Sequence, residues 1–487
     1  MKSICNDVLR ELHSRAASPL PREAAGTLRE GRSGVGGIRR GADGVLFPHC
    51  PGFAPVGAGL LCYPAERRRP AKRIPGSRGF SMAPGDKAMA AAPASESSFE
   101  PWAAESPARG AMRVMALVEA VSMSGTAKAV LEFAREASRP RHDLPPVGIS
   151  IVTFARGEPD NAFIRIVRRE GYPIDIVTES GPFDPGVLPR LREAVKRRQP
   201  DILWTNAVKS HFLVRLSGLD RRAAWVAFHH GYTTTDWKTR LYNQFDRWSP
   251  RGARRVVTVC RAFAADLRTR GIRSERIRVQ PMPIRPSAPV PPEAVADLRR
   301  RLGVAGGQPV LLAVGRLSRE KGHAELLGAL AEMRRREPGL ALKLLIAGDG
   351  PQRRELETLS ARLDLGDAVL FLGYQENVRP LYALADVFVL ASHSEGSPNV
   401  LLEAMEAGVA VVATAVGGIP EIATDEENAL LVEPRNVPAL AQALLRAIQD
   451  PPLRATLTGA AGQVVRRHTP DQYYRNLVAI FREALSA

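Results

Sequence analysis

One pattern limits the folds open to this chain: apolar runs of strand length alternate with amphipathic stretches of helix length, and the series runs twice. In the first series the apolar runs are RVMALVEA (113–120), GISIVTF (148–154), PIDIV (173–177), DILWTN (201–206), WVAFHH (225–230) and RVVTV (255–259). Helical stretches fall between them, including GTAKAVLEFAREAS (125–138), residues 161–170 and PRLREAVKRRQ (189–199). Strands that are apolar throughout are buried on both faces, and the intervening helices supply the cover. A parallel sheet between helical layers is therefore predicted. PMPIRPSAPVPP (281–292) interrupts as a linker. The series then resumes with PVLLAVG (309–315), ALKLLIAG (341–348), AVLFLG (368–373), DVFVLAS (386–392) and VAVVAT (409–414), and closes with three helical segments from Val437 to Ala487. The expectation is an α/β chain of two doubly wound, Rossmann-like halves whose ligand lies in the cleft between them.

Residues 1–110 stand outside this pattern. GRSGVGGIRRGADG and AERRRPAKRIPGSRG have no helical or strand period, and such a segment buries too little apolar surface to offset its ordering entropy. It is read as a disordered basic arm or as sequence upstream of the true start, with Met82, Met89 and Met112 as alternative starts. The four cysteines form no CxxC pair and no zinc-type cluster with histidine, so neither a disulfide scaffold nor a structural metal is expected. No uncharged apolar run is long enough to span a bilayer, and charged residues interrupt any apolar core of a leader peptide at the N-terminus. A cytoplasmic chain is expected. The net charge of +17 favours anionic partners without choosing among nucleic acid, lipid headgroups and phosphate esters.

The second series carries the chemistry. PVLLAVG ends in GRLSREKG (315–322) and a helix follows. Gly315 lets a ligand approach the backbone, the helix start offers unpaired N–H groups, and Arg316 and Lys321 add two cations. A diphosphate suits that combination. The loop is neither a Walker A sequence nor a GxGxxG fingerprint. AGDGP (347–351) closes the next strand with glycines at the same sheet edge. In ASHSEGSPNVLLEAMEAG (391–408), Glu395 lies at a strand end, Gly396 and Ser397 open a helix, Pro398 fits its first turn, and Glu403 follows on that helix. An ionised carboxylate is a pure acceptor, suited to sugar hydroxyls.

GRLSREKG, AGDGP, EGSPNVLLEAMEAG and VGGIPE together resemble the C-terminal half of the family-4 retaining glycosyltransferases, also called glycosyl transferases group 1, which have the GT-B fold. The resemblance is good over 300–487 and weaker over 112–299, and Glu395 and Glu403 match the family's E-x7-E pattern. It implies an N-terminal acceptor domain (112–285), a nucleotide-sugar donor domain (286–470) and a final helix (471–487) that packs back toward the first. Arg316 and Lys321 would neutralise the donor diphosphate and its developing charge. Gly396, Ser397 and Pro398 would cradle it, Glu403 would take the ribose hydroxyls, and Glu395 would orient the donor sugar. Tyr374 is a candidate wall for the nucleobase or simply a half-buried aromatic. The family's loop after the first strand is SMSGTAK here, with Gly125 and Thr126 in place and one glycine where many members have two. FHHGYTTTD supplies His229 and His230 near the donor sugar; strand alternation sends them to opposite sides, and His230, preceding Gly231, is favoured. No metal or other cofactor is expected, because Arg and Lys take a metal's place in this plan.

The same resemblance implies a nucleotide-diphosphate sugar as donor, a saccharide or lipid-linked acceptor, retention of configuration, and a place in polysaccharide or glycolipid biosynthesis. WKTRLYNQFDRWSPRGARR (237–255) interleaves aromatics with arginines, which reads either as a packed amphipathic helix or as a peripheral contact with an anionic membrane. Two other classes stay open: a related enzyme on the same fold, such as a nucleotide-sugar epimerase or a phosphorylase, and a non-catalytic nucleotide-sugar-binding protein. A nucleic-acid binder would rest on charge alone.

Overall fold

The structure, a computed structural model, describes residues 110–120, 123–157, 160–181, 184–231 and 249–487. The expectation for the N-terminal extension falls outside these residues, as does most of 237–255. All described residues belong to one unit, Glu100–Ala487.

Both apolar series form parallel sheets. The first contains β1 (Met112–Val118), β2 (Val147–Arg156), β3 (Ile174–Glu179), β4 (Ile202–Thr205), β5 (Ala224–His229), β6 (Arg255–Thr258) and β7 (Ile277–Val279) in the order β3-β2-β1-β4-β5-β6-β7. The second contains β8 (Val310–Val314), β9 (Lys343–Ala347), β10 (Val369–Gly373), β11 (Val387–Leu390), β12 (Ala410–Thr414) and β13 (Leu430–Val432) in the order β10-β9-β8-β11-β12-β13. In each sheet the winding reverses beside its first strand, between β1 and β4 and between β8 and β11. Loops leave such a point in opposite directions and open a crevice at the strands' carboxyl ends. Two crevices of the same kind are thus built into one chain.

β7 and β13 have three residues each, too few to declare a period, and were not legible in the sequence. Helix Asn399–Glu406 starts one residue later than expected. Pro398 is its N-cap, with φ −72° and ψ 112°, so the proline fixes the entry of the chain instead of filling the first turn.

The core of the first half is aromatic. Trp204 on β4 lies edge-on to Phe133 of helix Gly125–Ala137 at 5.2 Å, and Phe133 meets Phe481 of helix Pro470–Leu485 at 5.6 Å. All three are fully buried, and each such ring contributes ~1.5–3 kcal/mol through removal from water. The last helix therefore completes the first sheet, although it follows the second in sequence. Glu483 on it accepts from Arg255 at 3.0 Å and Arg278 at 2.6 Å. In the second half, helices His323–Arg336 and Val437–Gln449 cover one face through Leu311, Leu344 and Val412. Helices Asn399–Glu406 and Pro451–Val465 cover the other through Leu312, Leu345 and Phe388.

The proline-rich linker has no regular structure over 281–291, yet it is tied to both halves. Arg285 donates to Glu132 at 2.7 Å and Glu136 at 3.0 Å. The Ser287 amide donates to Glu406 at 2.7 Å, and the Ile284 amide to the His468 carbonyl at 2.8 Å.

Candidate functional site

Between the two sheets lies a cleft of about 650 Å3, lined by residues of both halves. The loops after β1, β8, β9 and β11 supply most of its wall, as the two switch points require.

Close backbone approach shapes the C-terminal side. Gly322 follows Lys321 with φ +64°, and a Cβ there would lie 1.9 Å from the Ala391 carbonyl oxygen. Gly417, in VGGIPE, has φ +55°, and a Cβ there would lie 1.8 Å from the Glu395 carbonyl oxygen. Any side chain would push these loops apart, which is the reason for glycine at both. The loop after β8 and the loop after β11 are thereby pressed together, and Lys321 donates to Glu395 at 2.7 Å. Ser392 donates to the same Glu395 oxygen at 2.6 Å, so this buried carboxylate is fixed before any ligand arrives. Arg316 also lines the cleft, exposed, and among the described residues no carboxylate pairs with it. Burial pushes His323, the first residue of the next helix, down to about 4, opposed by its hydrogen bond with the Arg316 backbone. A neutral imidazole thus supports the loop that carries Arg316.

Glu403 lies one side of the same cleft, on helix Asn399–Glu406, and accepts from the buried Tyr382 hydroxyl at 3.2 Å. Burial, with the Glu403 carboxylate beside it, holds that phenol well above its ordinary value, so Tyr382 remains a donor. Tyr374 is exposed at the rim.

The N-terminal half closes the other side. Ser124 caps helix Gly125–Ala137 by accepting from the Ala127 amide. Gly125 is so near Asn399 that a Cβ would lie 3.1 Å from its Nδ2. Lys128, one turn further, donates to Glu403 at 2.6 Å across the cleft. A second tie lies outside the cavity, where Glu421 of VGGIPE accepts from the Arg261 amide at 2.6 Å. That amide opens helix Arg261–Thr269, where unpaired donors favour a carboxylate.

His230 lines the cleft; His229, the last residue of β5, does not. His229 is buried against the edge of Phe263 at 6.2 Å between ring centres. Strand alternation separates the two rings. His230 stacks on Phe228 at 4.5 Å, its Nε2 is enclosed with no hydrogen-bond partner among the described residues, and burial pushes it down to about 3, with a further push from His229. It is a neutral ring with an unused polar atom in the wall of the site.

The structure thus brings Gly125, Thr126, His230, Gly315, Arg316, Lys321, Tyr374, Glu395, Gly396, Ser397, Pro398 and Glu403 to one cavity and leaves His229 behind the wall. Sequence reasoning missed Lys128, Asn399 and Asp349, which also line it. Lys128 was within reach of that reasoning, since it stands one helical turn from Gly125 on the same face. Asp349 stands within AGDGP, whereas nothing local marks Asn399. Among the described residues no cluster of His, Cys, Asp and Glu could hold a metal ion, and no helix is long and apolar enough to cross a membrane.

Known proteins share the two-sheet architecture. Residues 123–288 match the family described as Glycosyltransferase Family 4, and residues 295–464 match Glycosyl transferases group 1. Similar curated proteins include a D-inositol 3-phosphate glycosyltransferase of Saccharomonospora viridis, 36% identical over 206 residues, which covers 40% of this chain and 48% of that protein. The lipopolysaccharide core biosynthesis glycosyltransferase LpsE of Rhizobium meliloti is 34% identical over 190 residues, 38% of this chain and 54% of its own length. The chain spans about half the length of the curated relatives it matches. Among solved structures, Anabaena HepE in complex with UDP and glucose superposes with a TM-score of 0.64 at 23% identity, covering 76% of this chain and 98% of that one. The sucrose-phosphate synthase of Thermosynechococcus elongatus gives 0.61 at 21% identity, over 77% and 99%. At such identities the likeness is one of fold.

Proposed function

Because the chain belongs to the family-4 glycosyltransferases of GT-B fold, we propose that it transfers a sugar from a nucleotide-diphosphate sugar to a hydroxyl of a saccharide or lipid-linked acceptor, with retention of configuration, in glycan or glycolipid assembly. The observation that carries the reading is the convergence of Arg316, Lys321, Glu395 and Glu403 on one cleft, with Lys321 already hydrogen-bonded to Glu395. Cations for a diphosphate and acceptors for hydroxyls are thus interleaved as a nucleotide sugar alternates them. The curated relatives named as glycosyltransferases, and HepE with its UDP, support the donor class.

In this reading the donor diphosphate lies against Arg316, Lys321 and the backbone of 396–398. Glu403 accepts from the ribose and Glu395 from the transferred sugar. The bond between the anomeric carbon and the phosphate oxygen breaks while the acceptor oxygen attacks on the same face. The departing phosphate takes the acceptor's proton, and no protein group forms a covalent bond. Arg316 and Lys321 stabilise the charge that grows on the leaving group, in a site that needs no reorganisation. We assign no metal to that task. His230 lies beside the sugar as a neutral ring in the cleft wall.

The test is to incubate the full chain with a panel of nucleotide sugars and follow slow donor hydrolysis by proton NMR. Release of the donor's own anomer, undiminished by EDTA, supports the proposal. The opposite anomer contradicts retention, and loss with EDTA contradicts the metal-free assignment.

A further inference from the structure

Among the described residues six charged side chains line the cleft: Lys128, Arg316 and Lys321 against Asp349, Glu395 and Glu403. They balance, and two of the three cations are already engaged, Lys321 with Glu395 at 2.7 Å and Lys128 with Glu403 at 2.6 Å. A dianionic diphosphate therefore meets no net charge among these residues. The sugar and ribose of the same molecule, however, bring hydroxyl donors that a carboxylate accepts as readily as it accepts an ammonium.

We propose that Lys128, carried across the cleft from the N-terminal half, is a third cation of the donor site: the ribose hydroxyls displace it from Glu403, and it turns to the diphosphate. This rests on the nucleotide-sugar reading above. Three features support it. The Lys128 side chain is 45% exposed and has no other charged partner among the described residues, so leaving Glu403 costs little. Its flexible four-carbon stem presents a mobile point charge, unlike a guanidinium fork. Its helix begins at Gly125, against Asn399, so the unpaired amides of that helix face the same cleft. Tyr382 stays on the other oxygen of Glu403 and keeps that carboxylate in place during the exchange. Donor recognition would then span both halves, and an ammonium released by the ribose would answer the charge of the diphosphate.

The experiment titrates full-length wild type, Lys128→Met and Lys128→Arg with UDP and GDP and with uridine and guanosine, using saturation-transfer NMR where binding is weak. For the nucleotide that wild type binds, Lys128→Met is expected to lose about tenfold or more in affinity, the scale of one charge-assisted hydrogen bond. Affinity for the matching nucleoside should hold or rise, Lys128→Arg should keep most of the nucleotide affinity, and added salt should weaken wild type more steeply than Lys128→Met. Unchanged or tighter nucleotide binding in Lys128→Met would overturn the proposal, since the ammonium would then only plug the empty site. Equal weakening of nucleotide and nucleoside would also overturn it, as a loss of closure alone. If wild type binds neither nucleotide nor any member of the donor panel, the donor reading itself falls; if it binds one and Lys128→Met binds it equally well, only the role of Lys128 falls.

Discussion

The two halves share a fold and, over six strands, a strand order, but fix the ends of their strands differently. On the C-terminal side, backbone packs on backbone: Gly322 on Ala391 and Gly417 on Glu395 leave no room for a side chain. In the N-terminal half, away from the cavity lining, the ends of β2 and β3 are joined by charged side chains. Arg156 and Lys209 both hold the buried Glu179, Arg156 at 2.9 Å. A side fixed by backbone geometry holds one ligand in one pose. Strand ends held by side-chain pairs can be rewritten residue by residue without moving a strand.

The comparison can be broken most decisively at Gly417. Gly417→Ala is expected to cost ~3 kcal/mol or more in chemical denaturation, because its φ is left-handed and the new Cβ meets the Glu395 carbonyl. Arg156→Ala, which removes a half-exposed ion pair in the other half, should cost only about 1 kcal/mol. Similar losses from the two would erase the distinction. In turnover, Lys321→Ala should lower kcat/KM by ~100-fold or more with its fold intact, whereas Arg299→Ala, on the exposed helix Pro292–Arg301, should leave it unchanged. Smaller again is Glu421→Ala, which uncaps helix Arg261–Thr269 from across the domain boundary. It should cost about 1 kcal/mol of stability and raise KM more than it lowers kcat, because it loosens closure and leaves the chemistry alone.

The halves also share an acid limb. His230 and His323, one in each, are pushed down to about 3 and about 4. Between those values and the unfolded value of ~6.5 the unfolded chain binds more protons, so stability rises with pH there. Each contribution is complete above about pH 6.5 and is lost as pH falls toward the folded value. Thermal melts from pH 7 to pH 4 should show a shallower loss in His323→Phe, after normalising to pH 7, and an identical slope would refute the neutral burial of that ring.

The same difference explains what could be read in the sequence. Gly315, Lys321, Glu395 and Glu403 were legible because glycines at strand ends and an E-x7-E spacing leave a local trace, and the apolar runs placed eleven of the thirteen strands. Asn399 leaves none and Lys128 only its place one helical turn from Gly125, since each matters through contact with the other half, and nothing in one half encodes how they meet. The choice between His229 and His230 turned on which side of β5 meets the cleft, a fact of packing that strand alternation states only as opposition. VGGIPE was visible as a motif, but its glutamate acts on a helix some 160 residues away.

The most direct test of the central claim is nucleotide release from a donor panel by the full chain and by Lys321→Ala. The account predicts that one nucleotide sugar is turned over by wild type, and that the substitution cuts release by ~100-fold while the melting temperature holds. No release and no binding with any donor, or equal release by both proteins, would contradict it.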